Sequence, residues 1–168
     1  NGMVFAPGDQ ILLKAGTAYT GSLTPMGSGS ATLPILVDMY DTGDKPFIDS
    51  KGYLAGVHLK NQSYVEIHNL RITSDGGEAV DSRAEEERYG VLVEVTDEPH
   101  SNILIKDLEI HDIYATVEVE SEGTNPTTNE GRGIRLNSAY WKDSVLLSEI
   151  TIQSNRIERT GWSGIHMT

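Results

Sequence analysis

A chain of 168 residues with 17 glycines, 38% hydrophobic residues and many β-branched side chains is long enough to bury a core, and its composition points to an all-β fold rich in turns. Twenty-five acids against 13 bases give a formal charge of −12, which excludes a nucleic-acid phosphate backbone as partner. The absence of cysteine excludes a disulfide framework and a thiolate metal cluster, and no apolar run is long enough to form a membrane span.

In chain order, Asn1-Gly2 reads as mid-protein sequence without a signal peptide. Short apolar runs follow at 10–14, 19–23, 34–38 and 46–49, separated by turn compositions at 27–30 and 41–44. From residue 51 onward the pattern becomes repetitive. Segments 63–72, 101–110 and 148–157 align from a serine, with apolar pairs two residues apart at Val65/Ile67, Ile103/Ile105 and Ile150/Ile152. A polar corner follows at Asn69, Asp107 and Ser154, and a second short strand ends on Ile72, Ile110 and Ile157. Ahead of these segments, and once more near the end, stands a glycine-led strand: Gly56-Val-His-Leu, Gly90-Val-Leu-Val, Gly133-Ile-Arg-Leu and Gly164-Ile-His-Met.

Strand, polar corner and strand at matching offsets predict a right-handed parallel β-helix, with three strands per coil and coils stacked at about 4.8 Å. A β-sandwich has no reason to repeat these offsets. The expected organisation is one domain over 1–168, with irregular opening coils at 1–50 and regular coils at 51–168. Long loops are expected at 74–89, 114–132 and 138–147. The string from Pro7 to Gly16, with 21–29, 34–38 and 45–49 after it, resembles the first coils of bacterial right-handed β-helix proteins of the pectate-lyase-like superfamily. That resemblance implies a carbohydrate-active protein, secreted or periplasmic, since polysaccharide lyases and several glycoside hydrolase families share this scaffold. The last residues, 164–168, fall inside a repeated strand. The natural protein is therefore expected to continue, with missing coils or another chain covering the open end.

Alternation sends Val57, Val91, Ile134 and Ile165 inward and makes an outward face of His58, Leu92, Arg135 and His166, then Lys60, Glu94, Asn137 and Thr168. The long loops would wall this face into a groove. Tyr140, Trp141 and Trp162 flank it, and exposed aromatic rings stack on sugar faces, so with His58, Lys60 and Asn137 they are the expected substrate-binding residues. The other face, with Arg71, Glu109 and Arg156, reads as a surface charge ladder.

Glycoside hydrolysis needs two carboxyl groups, and Glu94 with Glu130 or Asp143 could supply them, Glu118 and Glu120 standing in reserve. Elimination from a uronate needs a base and cations instead, a role open to Arg135, His166, His58 and Lys60. Asp75, Glu78 and Asp81 offer oxygen ligands for a calcium site, although the glycine-aspartate repeat of calcium-binding β-rolls is absent. No phosphate loop, HExxH zinc motif or serine-hydrolase elbow occurs. The leading expectation is a glycoside hydrolase acting on a polysaccharide or oligosaccharide. The alternatives are a lyase on uronate-containing glycans and a non-catalytic glycan-binding or adhesive β-helix.

Overall fold

The computed structural model describes residues 2–117, 129–138 and 146–168. Its regular structure is all strand apart from one five-residue helix. The chain runs a circuit through three sheets and then repeats it. Strands β1 (Gln10–Lys14) and β2 (Ala18–Thr20) open the first and second sheets, and β3 (Ile35–Tyr40), β4 (Phe47–Asp49) and β5 (Ala55–Lys60) visit all three. Strands β6 (Val65–His68) and β7 (Arg71–Ser74) lead through helix α1 (Ser82–Glu86) to β8 (Glu87–Val95). The last two circuits are β9 (His100–Lys106), β10 (Glu109–Ile113) and β11 (Glu130–Ser138), then β12 (Leu147–Gln153), β13 (Arg156–Thr160) and β14 (Ser163–Met167). Every pairing between these strands is parallel, giving sheets ordered β1-β3-β6-β9-β12, β2-β4-β7-β10-β13 and β5-β8-β11-β14.

Like side chains stack on like through this register. Ile11, Val37, Ile67, Ile105 and Ile152 form one column of the first sheet. Ile48, Ile72, Ile110 and Ile157 form one of the second. In the third, Val57, Val91, Ile134 and Ile165 align as the alternation predicts, with Leu59, Val93, Leu136 and Met167 beside them. The middle members are buried, each contributing about 1.5–3 kcal/mol. On the last strand Ile165 and Met167 are 47% and 69% exposed.

The polar corners have a conformational cause. Asn69, Asp107 and Ser154 hold φ of 53°, 55° and 55°, the left-handed region that short polar side chains tolerate best and that turns the chain sharply from the first sheet into the second. Asn155 ties successive circuits there, accepting from Leu108 N at 2.8 Å and donating to the Ile105 carbonyl at 2.9 Å. The first fifty residues are more regular than their composition suggests, since β1 pairs with β3 over its whole length. What they lack is a strand in the third sheet, to which Leu23 contributes a single bridge with Val57.

Candidate functional site

The glycine that leads each strand of the third sheet makes room for the second sheet. A Cβ on Gly56, Gly90 or Gly133 would stand 2.3, 2.4 and 2.4 Å from the Cγ2 methyl of Ile72, Ile110 and Ile157 respectively. The glycine and the valine or isoleucine after it therefore both face the core, and alternation breaks at that point. The residue before the glycine is thrown to the outside. Tyr89 consequently packs with Ala55 and Leu92 in a cluster separate from the main core, and the Arg132 guanidinium lies 5.9 Å from the Tyr89 ring centre.

Three columns thus cover the outer face of this sheet: Ala55, Tyr89, Arg132 and Ser163; His58, Leu92, Arg135 and His166; then Lys60, Glu94 and Asn137. Ahead of them, Glu87 and Glu130 stand in register on adjacent strands. Helix α1, inserted in the 74–89 loop, lays Arg83 over this face. Asp81 caps the helix by accepting from Ala84 N at 2.8 Å. The fully buried Arg88 pins it, donating from Nε to the Ala84 carbonyl and from Nη1 to that of Gly76 at 3.0 Å.

Arg83 then joins two carboxylates, with Nε 3.1 Å from Glu87 and Nη1 3.0 Å from Glu94. One guanidinium bonded to both brings their carboxyl oxygens within roughly 8 Å. Burial works against the Arg83 charge, but Glu87 and Glu94 outweigh it and raise its pKa. Glu94 is 6% exposed, with His58 Nε2 at 3.4 Å and Asn137 Nδ2 at 3.5 Å. The His58 ring beside it, then the Arg83 charge, overcome its burial and hold its pKa down at about 2. It is a fixed anion at neutral pH.

Toward the other end of the face, Arg132 bonds Glu130 through Nη2 at 2.8 Å and His166 Nδ1 through Nε at 3.2 Å, with the Trp162 ring 4.3 Å from its guanidinium. Burial lowers the pKa of His166, and Arg135 and Arg132 lower it further, so its ring is neutral. Tyr89 is pushed up by burial and then by the nearby Glu87 carboxylate. The face therefore holds three carboxylates, three guanidinium groups and two imidazoles.

No family model and no curated protein sequence matches the chain. Solved structures do. A crystal structure of a GH136 lacto-N-biosidase from Eubacterium ramulus, as its selenomethionine derivative, superimposes with a TM-score of 0.74 at 20% identity over 96% of this chain. The native form of that enzyme gives 0.70 at 18% identity over 98%. This chain shares their fold. It spans about 30% of the length of those proteins.

Of the residues singled out in the sequence, the structure brings His58, Glu94, Asn137, Arg135 and His166 onto one face and places Glu130 and Trp162 beside them. Lys60 is exposed in register with Glu94, and Leu92 belongs to the face but is covered. Asp143, Tyr140, Trp141, Glu118 and Glu120 lie outside the described residues. Glu94 is not the register partner of Glu130. It faces Asn137, further along β11, whereas Glu130 faces Glu87.

Among the described residues no group of three or more His, Asp or Glu side chains, Asp75, Glu78 and Asp81 included, is placed to hold a metal ion, and the Asp81 carboxylate caps helix α1. Arg71, Glu109 and Arg156 do stack in register, but their direct partners lie elsewhere: Glu109 pairs with Lys45 at 3.0 Å and Arg156 with Glu158 at 2.9 Å, while Arg71 lies over the Phe47 ring at 4.6 Å. Sequence reasoning missed Arg83, Glu87, Tyr89 and Arg132. Strict alternation puts Tyr89 and Arg132 in the core, and the signal against that was the glycine after each.

Proposed function

We propose that the three-sheet circuit is a right-handed parallel β-helix and that the chain degrades glycans as a glycoside hydrolase, with the outer face of the third sheet as its groove. The observation that carries this reading is the in-register pair Glu87 and Glu130 on a face that also presents Trp162, 47% exposed. Parallel neighbours begin about 4.8 Å apart, close to the roughly 5–5.5 Å between carboxyl groups of retaining glycosidases. One carboxyl protonates the departing glycosidic oxygen, and the other attacks the anomeric carbon to form a glycosyl-enzyme that water then hydrolyses.

Glu94 has a different part in this scheme. With its pKa near 2 it has no proton to give, and it holds Arg83 and His58 in place. Arg135 and His166 line the groove, and Trp162 offers a stacking surface for a sugar ring. The shared fold with a GH136 lacto-N-biosidase supports a glycan substrate and a hydrolytic reaction. No helix in the described residues is long and apolar enough to cross a membrane, and a polysaccharide substrate would place the protein outside the cytoplasm, secreted or periplasmic.

The test is reducing-end release from a panel of polysaccharides and oligosaccharides, read alongside absorbance of unsaturated uronate products. Glu130→Gln and Glu87→Gln should each lower turnover about a hundredfold or more with the fold intact. Wild-type turnover in Glu130→Gln would place the chemistry elsewhere, and unsaturated products would assign elimination.

A further inference from the structure

Arg132 and Arg135 are only partly used by the protein. Arg132 has a side-chain exposure of 4% and bonds Glu130 and His166, yet its Nη1 is out of contact with solvent and has no acceptor. Three residues on, Arg135 donates from Nη2 to Thr168 Oγ1 at 2.8 Å, and its Nη1 is buried and unpartnered in the same way. Ser163 Oγ, on β14 in register with Arg132, is a third buried polar atom without a partner. A charged donor removed from water with nothing to bond is among the costlier defects a fold can carry. Here two such donors and one neutral hydroxyl fall on two neighbouring strands of one face.

The nearby acids are committed elsewhere: Glu87 to Arg83, and Glu130 to the Nη2 of Arg132. Burial lowers the pKa of Arg135, and Arg132 adds to the shift despite opposing contributions from Tyr89, Glu87 and Glu130. The neighbouring His166 is neutral and brings no further charge. What is missing is an acceptor.

We propose that Arg132, Arg135 and Ser163 hold the carboxylate of an acidic sugar residue, so that the substrate is a glycan carrying a uronic or similar carboxyl-bearing unit. Guanidinium N–H groups suit the planar carboxylate and bond it more strongly than they bond neutral oxygens. Trp162 stacks on Arg132 while 47% exposed, so its ring is a platform beside that guanidinium on which the sugar would lie. The overall charge of −12 disfavours a long polyanion, which points to an acidic unit within an otherwise neutral chain. This inference rests on the glycan-degrading reading of the same face.

The experiment is titration calorimetry of the whole protein with xylo-oligosaccharides bearing one glucuronic acid, the same oligosaccharides after carboxyl reduction to glucose, and a neutral oligosaccharide bearing one sulfate. The acidic form should bind about tenfold more tightly than its reduced counterpart. Arg135→Gln should abolish that preference, Arg135→Lys should keep part of it, and Arg156→Gln on the second sheet should keep all of it. Should Arg135→Gln fail to fold, Ser163→Ala should still reduce the preference, by about threefold. Equal binding of the two forms, binding of neither, equal binding of the sulfated probe, or a preference that survives Arg135→Gln in a folded protein would each overturn the proposal. Preference for the acidic form without cleavage of any glycosidic bond would sink the hydrolase reading alone, and cleavage of neutral glycans without preference would sink this proposal alone.

Discussion

Glu109 on the second sheet and Glu94 on the third both stand on the outer side of a strand within reach of a cation, and they are used in opposite ways. Glu109 is 43% exposed in its pair with Lys45, and most charges around it are paired at the surface: Arg156 by Glu158, Arg159 by Glu158 and Asp112, and Asp112 again by His111, while Arg71 in register with Glu109 keeps one buried Nε without a partner. Each of the paired groups keeps water as an alternative partner, so each pair contributes little. Glu94 has a side-chain exposure of 8% and is gripped by two elements from outside its own strand, while the guanidinium groups along the same face keep buried nitrogens unfilled. A face that spends burial on charges and leaves donors open is organised for something that comes from outside.

The largest effect that would break this contrast lies under the third sheet, where the glycine column produces the bend. Gly90→Ala places a methyl 2.4 Å from Ile110 Cγ2 and 2.6 Å from the Gly133 carbonyl, so both the second sheet and the neighbouring strand must give way. The expected cost is about 3 kcal/mol, together with loss of glycan binding, since Tyr89 and Glu87 ride on the displaced segment. Gly164→Ala is the internal control, because the nearest atom to its added methyl is 3.7 Å away. Urea unfolding of both variants decides the matter; equal midpoints would show that the glycine column does not hold the two sheets together.

Glu94 sharpens the contrast through pH. Its folded carboxyl takes a proton only near pH 2, against an ordinary value of 4.5, so the stability it contributes is fully present above about pH 4.5 and is lost as the pH falls toward 2. Wild type should exceed Glu94→Gln by about 2–3 kcal/mol at pH 7 and by less than about 1 kcal/mol at pH 2.5. A gap between the two that stays constant over this range would mean that packing, not the His58 and Arg83 interactions, explains the loss.

The parts of this architecture visible in the sequence are those governed by period two. The columns through Val57, Ile67 and Ile72 follow from alternation, and the corners at Asn69, Asp107 and Ser154 from short polar residues that tolerate positive φ. His58, Glu94, Arg135 and His166 could be read as one face because the phase after the glycine is regular. Before the glycine the phase shifts by one, for a reason that lies in another strand: the isoleucine methyl that occupies the position of the missing Cβ. Tyr89 and Arg132 were therefore hidden from a strictly local pattern. Arg83 was hidden differently, because it arrives on a helical turn within a loop whose anchor, Arg88, reads in the sequence as one more surface cation.

The smallest expected effect is on the second sheet, and it tests whether that face is as inert as its ion pairs suggest. Arg156 is 74% exposed and bonds Glu158 through both Nε, at 3.1 Å, and Nη2, at 2.9 Å. After Arg156→Ala the Glu158 carboxylate still has Arg159 at 2.6 Å and open water, so nothing is left buried and unpaired. The melting temperature should move by less than about 2 °C at low salt, and even that difference should fade in roughly 1 M salt, where exposed pairs are screened. If the chain is the glycoside hydrolase proposed above, turnover should stay at the wild-type level, because the Glu87, Glu130 and Arg132 cluster lies on the third sheet. A loss of turnover in Arg156→Ala larger than that in Glu130→Gln would invert the contrast and move the catalytic groove to the second sheet, where Arg71, His111 and Arg159 would become the residues to examine.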